Sequence, residues 1–211
     1  MRTMIIDVET GGLPVPAGFG VFHPPWHISA YRGARVVQLA WQVIDAHGTI
    51  TSEQQHLVSP PKGARFSPKS IAIHGITPAH ARREGRPILA VLRDLMVALR
   101  EVDLLVGHNI AFDRHVVASE LMLACKHLGE KAFRQFWRIP TFCTMRSTTQ
   151  LVGLVTRAGI PKWPKLAELY AFLFDGLEFP NAHEALGDVR ATSRCFRQLC
   201  HSGSVHVLCP G

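Results

Sequence analysis

The stretch MIIDVETGGLP, Met4 to Pro14, sets two acids, Asp7 and Glu9, inside an apolar run. The run over 3–9 reads as a strand. Side chains alternate along a strand, so Asp7 and Glu9 share one face while Met4, Ile6 and Val8 occupy the other. At about 3.3 Å of rise per residue, the two acidic Cα atoms lie ~7 Å apart. Neighbouring carboxylates in an apolar setting repel one another and lose hydration, which is costly unless a cation sits between them. A hard divalent ion such as Mg²⁺ suits carboxylate oxygens and shares them with substrate phosphates. The plain alternative is a strand end with two solvated acids.

Further along, GHNIAFDRHVV places Asp113 near the start of a helix predicted over 111–127. Asp113 shares a face of that helix with Val117, Leu121 and Ala124. The helix dipole accounts for an acid at a helix start. It does not account for one on the apolar face. In AHEALGDVRAT, His183 and Asp188 stand five residues apart at the start of a helix predicted over 184–201, whose inward residues are Val189, Thr192, Phe196 and Leu199. Singly, each of these reads as a helix-start acid or a surface histidine. Together, four acids and a histidine gather at element ends, where an α/β sheet carries its site.

The 211 residues, 47% of them hydrophobic, suffice for one well-filled core and are few for two. No apolar run approaches a membrane span. The chain enters its first strand almost at once, so no signal peptide is read and a cytoplasmic location is expected. Five scattered cysteines without a CxxC predict reduced, mostly buried thiols. The Cys/His-rich stretch 195–209 lacks finger-like spacing, so zinc is not expected there. A net charge of +7 points to a polyanionic partner, nucleic acid first. Arg82, Arg83, Arg86, Lys162 and Lys165 read as phosphate contacts or as solvated surface charge.

The remaining pattern predicts a long loop over 14–34, with Trp26 and Tyr31 either stacking on bases or forming the loop's own small core. A strand over 35–45 follows, with Val37, Leu39, Trp41 and Val43 on one face and Gln38 and Gln42 on the other. Its hairpin partner is 49–58. Thr77-Pro78 reads as a helix start. A helix over 87–102 has Ile88, Leu92, Leu95 and Leu99 as its stripe. A strand over 103–107, a short strand after Pro140, and helical segments near 144–154 and 165–174 complete the order. The sum is one α/β domain over 1–211, with a central mixed five-stranded sheet flanked by helices.

Taken together, the motifs resemble those of the DnaQ-like 3′–5′ exonucleases of the DEDDh type. Asp7-Val-Glu9-Thr10-Gly-Gly-Leu13 is similar to the first motif, DxETTGL. His108-Asn109-Ile-Ala-Phe112-Asp113 is similar to the second, and His183-x4-Asp188 to the third. His74-Gly75-Ile76-Thr77, Phe142-Cys143-Thr144 and Lys165-Leu166 also match. The resemblance implies an RNase H-like fold and a two-metal phosphodiesterase that uses Mg²⁺, with Mn²⁺ as a substitute. Asp7, Glu9 and Asp188 would hold the catalytic ion, Asp7 and Asp113 would stand at a second, and His183 would deprotonate the attacking water. Thr10, Leu13, His74 and Asn109 would receive the 3′-terminal nucleotide.

The implied substrate is a single-stranded 3′ end, DNA before RNA, released as nucleoside 5′-monophosphates in repair, end-trimming or proofreading in trans, with at most a loose polymerase association. The alternatives are an exoribonuclease of the RNase T or oligoribonuclease type, an inactive nucleic-acid-binding module and a small-molecule phosphodiesterase. Two departures stand out: Gly11 replaces the usual second threonine, and the loop over 14–34 is long.

Overall fold

The computed structural model describes residues 1–205. Strand β1 (Thr3–Thr10) runs through the middle of the sheet. Met4, Ile6 and Val8 enter the larger core cluster and Ile5 the one on the opposite face, as alternation requires. The stretch after it is not a plain loop. It holds a small separate hairpin, β2 (Pro16–Gly18) and β3 (Val21–Phe22), then a 3₁₀ turn at Ile28–Tyr31. Nor does it form its own core. Tyr31 is buried in the main core and donates to the His23 carbonyl, Phe22 packs on Phe112 and His115, and Trp26 remains 57% exposed.

Strands β4 (Val36–Ile44) and β5 (Ile50–Ser59) pair antiparallel, and β4 pairs antiparallel with β1. The predicted faces of β4 hold from Leu39 to Val43 and break at Val37. The β1–β4 register shifts between Glu9 and Thr10, so Val36 joins Leu39 in the main core. Val37 turns instead to a small cluster with Phe66, Ile76 and Ala81. One extra residue in a strand exchanges the faces on either side of it.

Helices α1 (Pro68–His74) and α2 (Pro78–Glu84) start on Ser67 and Thr77, whose side chains accept from the backbone N–H of Ser70 and His80. In each, proline takes the first helical position, where its missing N–H costs nothing. The two-residue strand β6 (Arg86–Pro87) adds to β5 and makes six strands rather than the predicted five. Two residues, one a proline, offer no alternation to read. Helix α3 (Ile88–Ala98) sends Leu92 and Leu95 inward and leads to the parallel partner of β1, strand β7 (Leu104–Gly107).

The helix predicted over 111–127 divides at Ala124 into α4 (Ile110–Leu123) and α5 (Cys125–Leu128). A further helix, α6 (Glu130–Arg138), lies beyond the left-handed Gly129, in a stretch the sequence pattern leaves unassigned. Strand β8 (Thr141–Cys143), helices α7 (Thr144–Ser147), α8 (Thr149–Val152) and α9 (Leu166–Leu173), and the long α10 (Ala185–His201) finish the chain.

The sheet order is β6-β5-β4-β1-β7-β8. Helices α3 and α4 cover one face, and α10 covers the other through Val189 and Phe196. This is an RNase H-like α/β arrangement. Strands β1, β7 and β8 are parallel and end at one sheet edge, where α4 and α7 begin. Cys125, Cys143, Cys195 and Cys200 are free, but only Cys195 is buried: Cys125 opens α5, Cys143 ends β8 and Cys200 lies at the exposed end of α10; Cys209 lies outside the described residues. Among the described residues, no helix is long and apolar enough to cross a membrane.

Candidate active site

At that sheet edge, Asp7 and Glu9 reach out from one face of β1, and Asp188 meets them from the first turn of α10. One carboxylate oxygen from each lies within 4.8 Å of the other two. Among the described residues this is the group able to hold a metal ion. Asp113 stands behind the trio, buried in the first turn of α4. Its Oδ1 accepts from the Val8 N–H at 3.1 Å, which ties α4 to β1. The structure therefore gathers all four predicted acids, three facing one another and the fourth bonded to the strand between them.

The position of α10 depends on residues the sequence patterns did not single out for it. Glu184, before the helix, makes no side-chain cap. Instead the Ala185 N–H donates to Gln38 Oε1 and the Leu186 N–H to Gln55 Oε1, each at 2.9 Å. Gln55 Nε2 donates in turn to Glu184 Oε1 at 2.9 Å. Two strand glutamines thus satisfy two of the donors a helix start leaves open. Farther along, Glu53 accepts from Arg190 and from Gln42. The readable signal was polar residues on β4, a strand buried along its whole length: such groups must find partners.

His183 sits at the rim. Its backbone is left-handed, with φ +66°, and its side chain is exposed. Its N–H lies 3.4 Å from Asp188 Oδ1, a long contact. Its charge also opposes the upward shift of the Asp188 carboxyl.

The acids share an electrostatic problem. Burial, then the charges of Asp113, Asp188 and Glu9, holds Asp7 well above the ordinary carboxylate range. Burial, then Asp188 and Asp113, pushes Glu9 up to about 8. Burial raises Asp113 to about 7 and Asp188 to about 6. Protonation relieves such crowding at low pH, and a bound cation relieves it at neutral pH. An all-oxygen donor set of this kind fits a hard divalent ion.

The family model described as Exonuclease, of the RNase T group, matches residues 4–196. The chain belongs to this exonuclease family. Similar solved structures include Escherichia coli exonuclease I with a 5cy-dT13 oligonucleotide, at 17% identity and a TM-score of 0.70, covering 95% of this chain and 40% of that one. The same enzyme with a dA16 oligonucleotide aligns at 19% identity and 0.68, covering 95% and 41%. A zinc-bound complex of it with single-stranded DNA aligns at 19% and 0.67, covering 95% and 40%. At these identities the likeness shows the fold. The chain spans about two fifths of the length of those exonuclease I chains. No curated protein sequence matches it.

The exonuclease motifs carry their own local reasons here. A side chain at Gly11 would begin 2.8 Å from the Phe66 ring, so the usual threonine does not fit unless that ring moves. The Thr10 hydroxyl donates to the Gly12 carbonyl at 2.7 Å. His74 Nδ1 accepts from the Ile76 N–H at 3.0 Å, which leaves the proton on Nε2 to donate to the Thr10 carbonyl at 3.2 Å. His74 therefore holds the backbone of the first motif. Leu13 is 72% exposed. Asn109 precedes α4 with φ +71° and makes no side-chain cap. His108 is tied to Thr144 Oγ1 at 3.0 Å and to the Pro164 carbonyl at 2.9 Å. Of the basic candidates, Arg83, Arg86 and Lys162 pair with Glu84, Asp94 and Glu168, while Arg82 and Lys165 form no ion pair among the described residues.

Proposed function

We propose that this chain is a metal-dependent 3′–5′ exonuclease that shortens single-stranded DNA and releases nucleoside 5′-monophosphates. The convergence of Asp7, Glu9 and Asp188 at the sheet edge, in a chain of this family, is the observation that carries the reading. Those three residues would hold one divalent ion, and Asp7 with Asp113 would stand at a second. Mg²⁺ is the natural choice for carboxylate oxygens, with Mn²⁺ as a substitute. When bound, such ions would stabilise the negative charge that develops as the phosphodiester is cleaved.

His183 accepts a proton from the attacking water as its oxygen bonds to phosphorus. The 3′-oxygen of the preceding nucleotide leaves and takes up a proton from solvent, to which the exposed His183 returns the one it accepted. What supports this role is that His183 is exposed to solvent and that its charge acts on Asp188. The Thr10 backbone, braced by His74, would meet the terminal 3′-OH. Exposed Leu13 would pack on the last base, and Asn109 would line the same pocket. Oligonucleotide complexes of the exonuclease I structures favour DNA over RNA. We further read 1–211 as one exonuclease domain acting in the cytoplasm, consistent with four free thiols, in repair or end-trimming, and associating with a polymerase only loosely.

The test is a ladder assay on 5′-labelled single-stranded DNA and the matching RNA, with Mg²⁺, Mn²⁺ or EDTA. The expected result is stepwise shortening from the 3′ end, faster on DNA and absent in EDTA. No cleavage of either strand in either metal overturns the proposal.

A further inference from the structure

Phe19 stands at the tip of the β2–β3 hairpin and is 96% exposed, the most of any large apolar side chain among the described residues. Its ring is nearly parallel to that of Trp163, at 18°, with centroids 6.0 Å apart. Trp163 is itself 39% exposed, and the Arg146 guanidinium lies over its ring at 5.1 Å. Arg146 also comes within 3.5 Å of the Gly20 carbonyl, and no carboxylate pairs with it among the described residues. Gly20 has φ +66°, and a side chain there would begin 3.0 Å from the indole, so the tip is seated closely against Trp163.

Packing and chain links connect this cluster to the elements that carry the acids. Phe22, at the far end of the hairpin, packs on Phe112 and His115, the two sides of the Asp113 turn. Arg146 lies on α7, which begins directly after β8 at the sheet edge that bears Asp7 and Glu9. Pro164, next to Trp163, is held by His108, one residue before Asn109. The Phe19–Trp163 stack seats the hairpin tip and still leaves flat apolar surface open to water beside a cation that no carboxylate pairs among the described residues. Base faces stack on such rings whatever the base, and a guanidinium adds attraction for both ring and phosphate.

We propose that Phe19, Trp163 and Arg146 form a stacking platform for bases of the single-stranded substrate on the 5′ side of the cleaved bond. The proposal rests on the exonuclease reading. It makes the grip tolerant of sequence and selective for single strands, since bases inside a duplex have both faces stacked on their neighbours and cannot splay onto the rings.

The test is anisotropy of labelled dT and dA oligonucleotides in an Asp7→Asn background, where the strand is not consumed. Phe19→Ala is expected to weaken both long oligonucleotides by about tenfold, and Phe19→Trp to restore them. Arg146→Gln should weaken both and flatten the salt dependence. The Phe19→Ala loss should fade as the oligonucleotide is shortened from its 5′ end. Unchanged affinity in Phe19→Ala overturns the platform, as does a loss that Phe19→Trp fails to restore. If the parent protein gives the 3′ ladder while Phe19→Ala binds normally, the exonuclease reading stands and the platform falls. If the parent neither binds nor cleaves, both fall, and the rings become a surface for a protein partner.

Discussion

Replacing Asp7 with asparagine removes the carboxyl that meets the charges of Asp113, Asp188 and Glu9 at once. Cleavage should drop below detection in the ladder assay while circular dichroism and cooperative unfolding persist. Activity near that of the parent would refute the assignment of Asp7 to the ions. His183→Ala should slow turnover by roughly 10²–10⁴. Calorimetric Mn²⁺ binding should hardly change, because the exposed His183 is outside the group able to hold the ion. An unchanged rate would remove His183 as the base. Asp7 was legible in the sequence, since paired acids inside an apolar run demand a reason, and His183 was legible only through its place in the third motif. The task of His74 was not, because its partner Thr10 lies 64 residues away and only the folded loop brings the two together.

At the scale of elements, Asp188 is placed by how α10 is anchored. Gln38→Leu deletes the acceptor of the buried Ala185 N–H. An unpaired buried donor costs about 1–3 kcal/mol, which a urea midpoint would register. The loosened first turn should also let Asp188 drift, so kcat should fall more than KM rises. Full activity and stability in Gln38→Leu would show that α10 is held by its apolar face alone. That face was legible as a 3.6-residue stripe and ended inward as predicted. The bulge at Val37 was not, because a register shift belongs to a pair of strands and leaves no trace in one of them. Helix α6 escaped for a different reason: it is short, dominated by charge, and buries only Ala132 and Phe136.

For the whole molecule, the crowded acids link folding to pH and metal. Glu9 near 8 and Asp113 near 7 keep protons that the unfolded chain, where these carboxyls have their ordinary values of 4.5 and 3.8, has already lost. Wherever the folded state binds more protons, stability falls as pH rises. Below about 6.5 the desolvated His56, His74, His108 and His115, lowered in the fold, work the other way. Between about pH 6.5 and about pH 8.5, then, the Tm of metal-free protein should fall, and Glu9→Gln should flatten the slope. Added Mg²⁺ or Mn²⁺ should raise Tm more at the upper end, since ions compete with protons for these carboxylates. A metal-free Tm independent of pH in that window would contradict the crowding of the acids.

By itself the sequence determined the central strand and its paired acids, the order of the three motifs, the helix stripes and the α/β class. The strand, the stripes and the class follow from periods of 2 and 3.6 written within short stretches of chain, and the motifs from their resemblance to the exonuclease family. Tertiary structure alone decided the sixth strand, the service of Gln38 and Gln55 to α10, the filling of Gly11's space by Phe66, and the meeting of Phe19, Trp163 and Arg146. Each of these joins segments far apart in the chain. Their contact depends on strand order, register and the path of loops, which no local pattern encodes.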